Sequence, residues 1–200
     1  MTKLISQNNT ELLETLFSSS TRVALLRVFL LDPHRSYYQR QLEVITGMAL
    51  RAVQRELERL HAVDLLYRHM QGNRAFYMVD SSFPLFSELR SIVMKSGDDR
   101  DRLRGHLADR REIQLAFLNA GKKKALAVVD GDVGEVESER GGIQLEYLTL
   151  ADFQSKLEQK SKDLKMYLSE GEDILGRREH IIWSRIEQAG YEVPKGKGIP

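Results

Sequence analysis

Cysteine is absent from the 200 residues, which excludes disulfides and thiolate metal sites. A dominant sign of charge is missing too: 30 Lys and Arg stand against 29 Asp and Glu, a net charge of +1, so whole-chain charge does not by itself point to a polyanionic partner. No apolar run approaches the roughly 20 residues that span a bilayer, and the stretch from Met1 to Thr10 has no long apolar segment after Lys3. A cytoplasmic protein with no membrane partner is expected. The chain does have 42% hydrophobic residues, enough for an ordinary core, and a length that fits two small domains.

Dividing the chain near Gly97 gives 12 Lys and Arg against 9 Asp and Glu in residues 1–96, and 18 against 20 in residues 97–200. The asymmetry is mild, so any surface for nucleic acid has to come from where the arginines stand rather than from their number. The expected division is a first domain at 1–96, a linker or connecting helix at 97–112, a small α+β domain at 113–192 and a flexible tail at 193–200.

In the first part, Leu12, Leu13, Leu16 and Phe17 suggest one short amphipathic turn. Ser18 to Thr21 then offers N-caps for a helix that is apolar on more than one face and ends at Asp32-Pro33, as a central core helix would. Ser36 with Gln39 fits a capping box for a second helix carrying Tyr38, Leu42 and Ile45, stopped by Thr46-Gly47. A third helix buries Val53, Leu57 and Leu60, which sends Arg51, Gln54, Arg55 and Glu58 to the other side. Short aromatic-rich runs at 65–70 and 74–79 flank Gln71-Gly72-Asn73 and predict a β-hairpin. Helix, glycine turn, helix and hairpin together describe a winged helix-turn-helix. Leu89, Ile92 and Val93 predict a further helix.

Residues 96–111 are dominated by Asp, Arg and Gly, with Leu103 and Leu107 as the only regular anchors, and predict a linker or a solvated helix. Strands are expected at 113–118, 125–130 and 143–148, separated by Gly-rich turns. Thr149 with Asp152 caps a helix whose apolar stripe is Phe153, Leu157, Leu164 and Leu168. A last helix at 177–188 carries Ile181, Ile182, Trp183 and Ile186, and the tail from Val193 is too rich in Gly and Pro to pack unaided. The fold class expected is α+β: a winged helix-turn-helix, then a small α/β domain with C-terminal helices.

The stretches Leu16-Phe17 through Leu25-Leu26, Tyr37-Tyr38-Gln39-Arg40-Gln41-Leu42, Ala52 through Leu60, and Gln71-Gly72-Asn73-Arg74 resemble the winged-helix domains of ArsR-like transcriptional regulators. More narrowly they are similar to the bacterial and archaeal group in which that domain precedes a nucleotidyltransferase-like one. The resemblance covers about residues 12–95. In the second half, residues 125–133 look like the strand that would carry catalytic aspartates, and residues 143–153 like a later strand entering a helix. The active family needs a Gly-Ser motif on a helix N-terminus for a triphosphate and an Asp-x-Asp pair for magnesium; here Asn119-Ala120-Gly121-Lys122-Lys123-Lys124-Ala125 supplies neither. The resemblance therefore implies a shortened, inactive remnant. Many relatives also begin the recognition helix with a serine cap and proline, where this chain has Ala49-Leu50, which cannot cap through a side chain.

Arg51, Gln54 and Arg55 are the candidates for base-edge contacts in the major groove, because Arg and Gln pair bidentately with guanine and adenine. Arg68, Gln71, Asn73 and Arg74 on the wing are candidates for phosphate or minor-groove contact, with Tyr37 and Arg40 as additional phosphate contacts. Asp130, Asp132, Glu135, Glu137 and Glu139 collect oxygens, but their spacing matches no calcium loop and an acidic solvated turn is the ordinary explanation. His34, His61, His69, His106 and His180 share no ligand spacing, and no nucleophile, base and orienter can be assembled, so no catalytic residue, metal or cofactor is expected. The partners expected are double-stranded DNA, a second copy of the chain, and a protein or small-molecule effector at the second domain. An enzyme of the nucleotidyltransferase class with a non-standard site, and an antitoxin-like docking module, are the competing readings.

Overall fold

The computed structural model describes residues 9–134, 136–196 and 199, with residues 9 and 10 described by their backbone alone. The chain is mixed α+β: among the described residues it forms nine helices and two sheets, of three and five strands. It divides into two units, one ending at Asp109 and the other running from Arg110 to Ile199. Among the described residues no helix is long and apolar enough to cross a membrane.

The first unit opens with α1 (Asn9–Phe17) and α2 (Ser20–Leu31). Ser19 caps α2, its side chain accepting the Arg22 N–H at 3.2 Å and so satisfying one of the amides that a helix start leaves unpaired. Val23, Leu25, Leu26, Val28, Phe29, Leu30 and Leu31 are all buried, which makes α2 the axis of this unit's core. Among the described side chains of α1 only Leu13 is buried, whereas Leu12 and Leu16 stand 57% and 67% exposed.

Next come β1 (Tyr37–Tyr38), α3 (Gln39–Thr46), α4 (Leu50–Ala62), β2 (Leu66–Gln71) and β3 (Arg74–Val79), the strands forming an antiparallel sheet in the order β1-β3-β2. The helix expected to be capped at Ser36 starts at Gln39 with Tyr38 as its cap, two residues later. Tyr37 and Tyr38 are instead extended and paired with Tyr77 and Phe76, and Gln41 Oε1 accepts the Tyr38 N–H at 3.1 Å to close the helix start.

Helices α5 (Phe86–Ser96) and α6 (Asp99–Ala108) complete the unit. Expected as a linker or a solvated helix, α6 packs against α2 and α5 with Leu103 and Leu107 fully buried. Gly105 permits that approach, since a Cβ there would collide with the Met94 sulfur. Arg90 locks the three helices together: Nε donates to the Leu30 carbonyl and Nη2 to the Gly105 carbonyl, each at 2.8 Å, and Nη2 pairs with Asp109, also at 2.8 Å.

The second unit contains β4 (Ile113–Asn119), β5 (Lys124–Val129), β6 (Glu139–Arg140), β7 (Ile143–Thr149), α7 (Leu150–Glu158), α8 (Lys162–Leu168), β8 (Glu172–Asp173) and α9 (Ile182–Gln188). Its sheet runs β6-β7-β5-β4-β8, with β5 and β7 parallel and the other pairs antiparallel. The three strands expected from the sequence are its centre. Thr149 caps α7, its Oγ1 accepting the Asp152 N–H at 3.1 Å. The stripe Phe153, Leu157, Leu164 and Leu168 is buried against Leu115, Phe117 and Trp183, but it spans two helices: Lys160 turns into the left-handed region at φ 49 and Ser161 caps α8.

One expectation fails at the C-terminal end. The last helix begins at Ile182 rather than at residue 177, and Ile181 is 73% exposed. Of the tail expected to be flexible, residues 197, 198 and 200 lie outside the described residues, and the part before them bonds back as far as Gly196. Asp173, 1% exposed, explains why: Oδ1 accepts the Leu175 and Gly176 N–H groups at 3.0 and 2.8 Å, and Oδ2 accepts from Arg178 Nε at 2.9 Å. Arg178 Nη2 in turn holds the Val193 carbonyl at 2.8 Å, while the Asp173 backbone exchanges bonds with Pro194 and Gly196.

Candidate functional site

The turn between α3 and α4 is closed by Gly47, whose φ of 67° is cheap only for glycine and whose N–H donates to the Glu43 carbonyl at 2.9 Å. Thr46 Oγ1 donates to the Leu42 carbonyl and accepts the Met48 N–H, so the chain re-enters helix within three residues. Ala49 precedes α4 and contributes no side-chain cap. Helix α4 buries Val53, Leu57 and Leu60 against α2 and α3, which leaves Arg51, Arg55 and Glu58 exposed and Gln54 half-buried. Among the described residues neither Arg51 nor Arg55 pairs with a carboxylate.

Gln54 is less free than its position suggests. Its Nε2 donates to Gln39 Oε1 at 3.0 Å, and Gln39 Nε2 reaches the Tyr77 hydroxyl at 3.5 Å, so one amide chain ties α4 to the start of α3 and to β3. A buried carboxylate that sequence reading placed on no face does a similar job at the back of the helix. Glu56 is 1% exposed; Arg22 of α2 donates Nε to its Oε2 at 2.9 Å, and Arg59 donates Nη1 to its Oε1 at 2.7 Å.

The hairpin pairs in register from Leu66 with Val79 to Gln71 with Arg74, leaving Gly72 and Asn73 as the two turn residues. Gly72 sits at φ 57°, the positive value that the first central position of a type II′ turn requires. Arg68, Gln71, Asn73 and Arg74 are all exposed, and Gln71 through Arg74, with Phe76, line a shallow hollow at the tip. Arg40 is exposed at the start of α3 and makes only a 3.7 Å pair with Glu43.

Tyr37 does not join this surface. It is fully buried, edge-to-face with Phe29 at 5.7 Å, and belongs to the core. Alternation along a strand explains the difference between the two adjacent tyrosines: Tyr37 turns inward with Leu66, Tyr77 and Val79, and Tyr38 turns outward. The outward set is largely aromatic. Tyr67, His69, Phe76 and Tyr38 follow one another across the sheet, a row that could have been found by applying the two-residue period to both arms of the hairpin.

In the second unit, β4 and β5 are joined directly by the turn 120–123, so no helix N-terminus stands between them. Asn119 is buried, its Nδ2 donating to the Met166 carbonyl at 2.9 Å and its Oδ1 accepting the Lys122 N–H at 3.0 Å. Lys122 pairs with Glu170 at 2.8 Å, which holds that carboxyl below its usual range, and Lys124 with Glu146 at 3.5 Å. Burial pushes the Tyr167 phenol up, and the neighbouring Glu146 carboxylate adds to the shift. Of the acidic turn, Glu137 is paired with Arg140 at 2.9 Å and Glu135 lies outside the described residues. Among the described residues no group of His, Asp or Glu is gathered that could hold a metal ion.

No family model matches the chain, and neither a curated protein nor a solved structure matches it.

Proposed function

We propose that the first unit is a winged helix-turn-helix of the ArsR-like kind that reads double-stranded DNA, and that the chain is a transcriptional regulator. In this reading α4 enters the major groove and the hairpin is the wing. The observation that carries it is the pair Arg51 and Arg55: four residues apart on one face of α4, exposed, and unpaired with any described carboxylate. After α4, residues 65–79 hold Arg68, His69 and Arg74 and no Asp or Glu. Arg51 and Arg55 on α4 and the cations of the hairpin are exposed on a chain whose net charge is only +1.

The chain acts as a homodimer in the same reading. Leu12 and Leu16 on α1, and Leu85 and Ile92 on or beside α5, are exposed apolar residues on helices that pack together. A second copy covering them would set two α4 helices on half-sites about one helical turn apart, roughly 34 Å. The second unit takes a protein or small-molecule effector and has no catalytic role: its β4–β5 turn offers lysines where nucleotidyl transfer needs carboxylates.

Selection of bound fragments from a genomic DNA library tests the proposal. Enrichment of a common site with two-fold symmetry is the expected result, and recovery of fragments no different from the input would overturn it.

A further inference from the structure

An antiparallel hairpin that meets only water on one face carries polar side chains there. The outer face of β1-β3-β2 instead carries rings. Tyr67 is 40% exposed, His69 is exposed, and Phe76 and Tyr38 are half-buried. The rings follow one another without a gap: Tyr67 to His69 at 6.1 Å, His69 to Phe76 at 5.7 Å and nearly parallel, Phe76 to Tyr38 at 5.6 Å edge-on. Arg74 closes the row with its guanidinium 4.9 Å above the Tyr38 ring. The core does not call for these rings, because Tyr37, Leu66, Tyr77 and Val79 already fill the opposite face.

A row of partly exposed rings with a cation at its end is an arrangement on which unpaired bases stack, since every base has a π-face and the backbone phosphates seek the cation. The absence of any carboxylate from residues 65–79 fits a polyanionic occupant and disfavours a basic one. We propose that the outer face of this sheet is a stacking platform for a single strand of DNA, separate from the α4 surface and occupied where the duplex beside the hairpin is opened. Only the choice of DNA rests on the proposed function; the platform itself is carried by the rings.

Fluorescence anisotropy of a labelled oligothymidylate with the full chain tests it. The intact chain is expected to bind, Tyr67→Ala and Phe76→Ala each to weaken binding about tenfold or more, and Tyr67→Phe to keep it. Phe76→Leu keeps an apolar side chain in the sheet but removes the π-face, so it reports on stacking even where the alanine variant folds poorly. Arg51→Ala should leave oligothymidylate binding unchanged. No binding by the intact chain, equal binding by Tyr67→Ala and Phe76→Leu, or binding of oligouridylate in place of oligothymidylate would each overturn the proposal. Failure of the duplex reading appears separately, as duplex affinity indifferent to Arg51→Ala.

Discussion

Arg22 on α2 reaches Glu56 on α4, Nε to Oε2 at 2.9 Å, and joins the axis of the first unit's core to the helix proposed to read DNA. The Glu56 carboxylate is 1% exposed and has Arg59 as its second partner. Taking Arg22 away leaves a buried charge held from one side only. Arg22→Ala should therefore destabilise the protein by on the order of 2–3 kcal/mol, measured by urea unfolding, and more than Arg59→Ala, because Arg59 is the more solvated partner at 56% against 29%. Equal losses would show that the contact across the two helices adds nothing beyond a local pair.

Tyr37 tests the separation of core from surface. Tyr37→Ala should cost about 3–5 kcal/mol of stability, since it removes an aromatic side chain from a packed interior. DNA affinity of the fraction that remains folded should be unchanged at low temperature. A selective loss of affinity with normal stability would return Tyr37 to the binding surface.

How much of this was legible in the chain depended on whether a residue follows a local period. Helix α4, the Gly47 stop and the Gly72 turn follow such periods and stand where the sequence put them. The two tyrosines at 37 and 38 do not: a helical reading places them around one axis, whereas pairing with a strand 40 residues later turns one in and one out. Glu56 was missed because a glutamate on an amphipathic helix reads as solvated unless its long-range partner, Arg22, is known. The break between α7 and α8 was hidden because Leu164 and Leu168 return to the same core after it. Asp173, Arg178 and the docked tail form a network of side-chain to backbone bonds, which leaves no apolar pattern to read.

The apolar residues left exposed on α1 give the dimer proposal its test. Leu12→Glu with Leu16→Glu removes the surface without touching the buried Leu13. Analytical ultracentrifugation should show a dimer for the intact chain and a monomer for the double variant with unchanged helical content. A monomeric intact chain would overturn the dimer, and a variant that stays dimeric would place the interface elsewhere.

Tyr167 predicts an alkaline limit for the second unit. Its folded pKa is raised above the ordinary value of 10.0, first by burial and then by Glu146. Below the unfolded pKa its contribution to stability is complete, and as pH climbs past that value the unfolded state releases the proton first, so stability falls. The melting temperature should decline above about pH 10, and Tyr167→Phe should flatten that decline relative to the unchanged chain. Identical alkaline limbs would show that the phenol does not limit the fold.

The central claim, duplex reading by α4 with the hairpin on the backbone, is tested most directly by the salt dependence of affinity for a selected duplex. Log affinity should fall linearly with log salt, with a slope magnitude that drops by about 1 in Arg74→Ala, the wing residue proposed to contact a phosphate. Arg51→Ala and Arg55→Ala should each weaken binding by about 1–3 kcal/mol and relax preference at one base position. No retention of duplex at physiological salt, or arginine variants that bind as the intact chain does, would contradict the account.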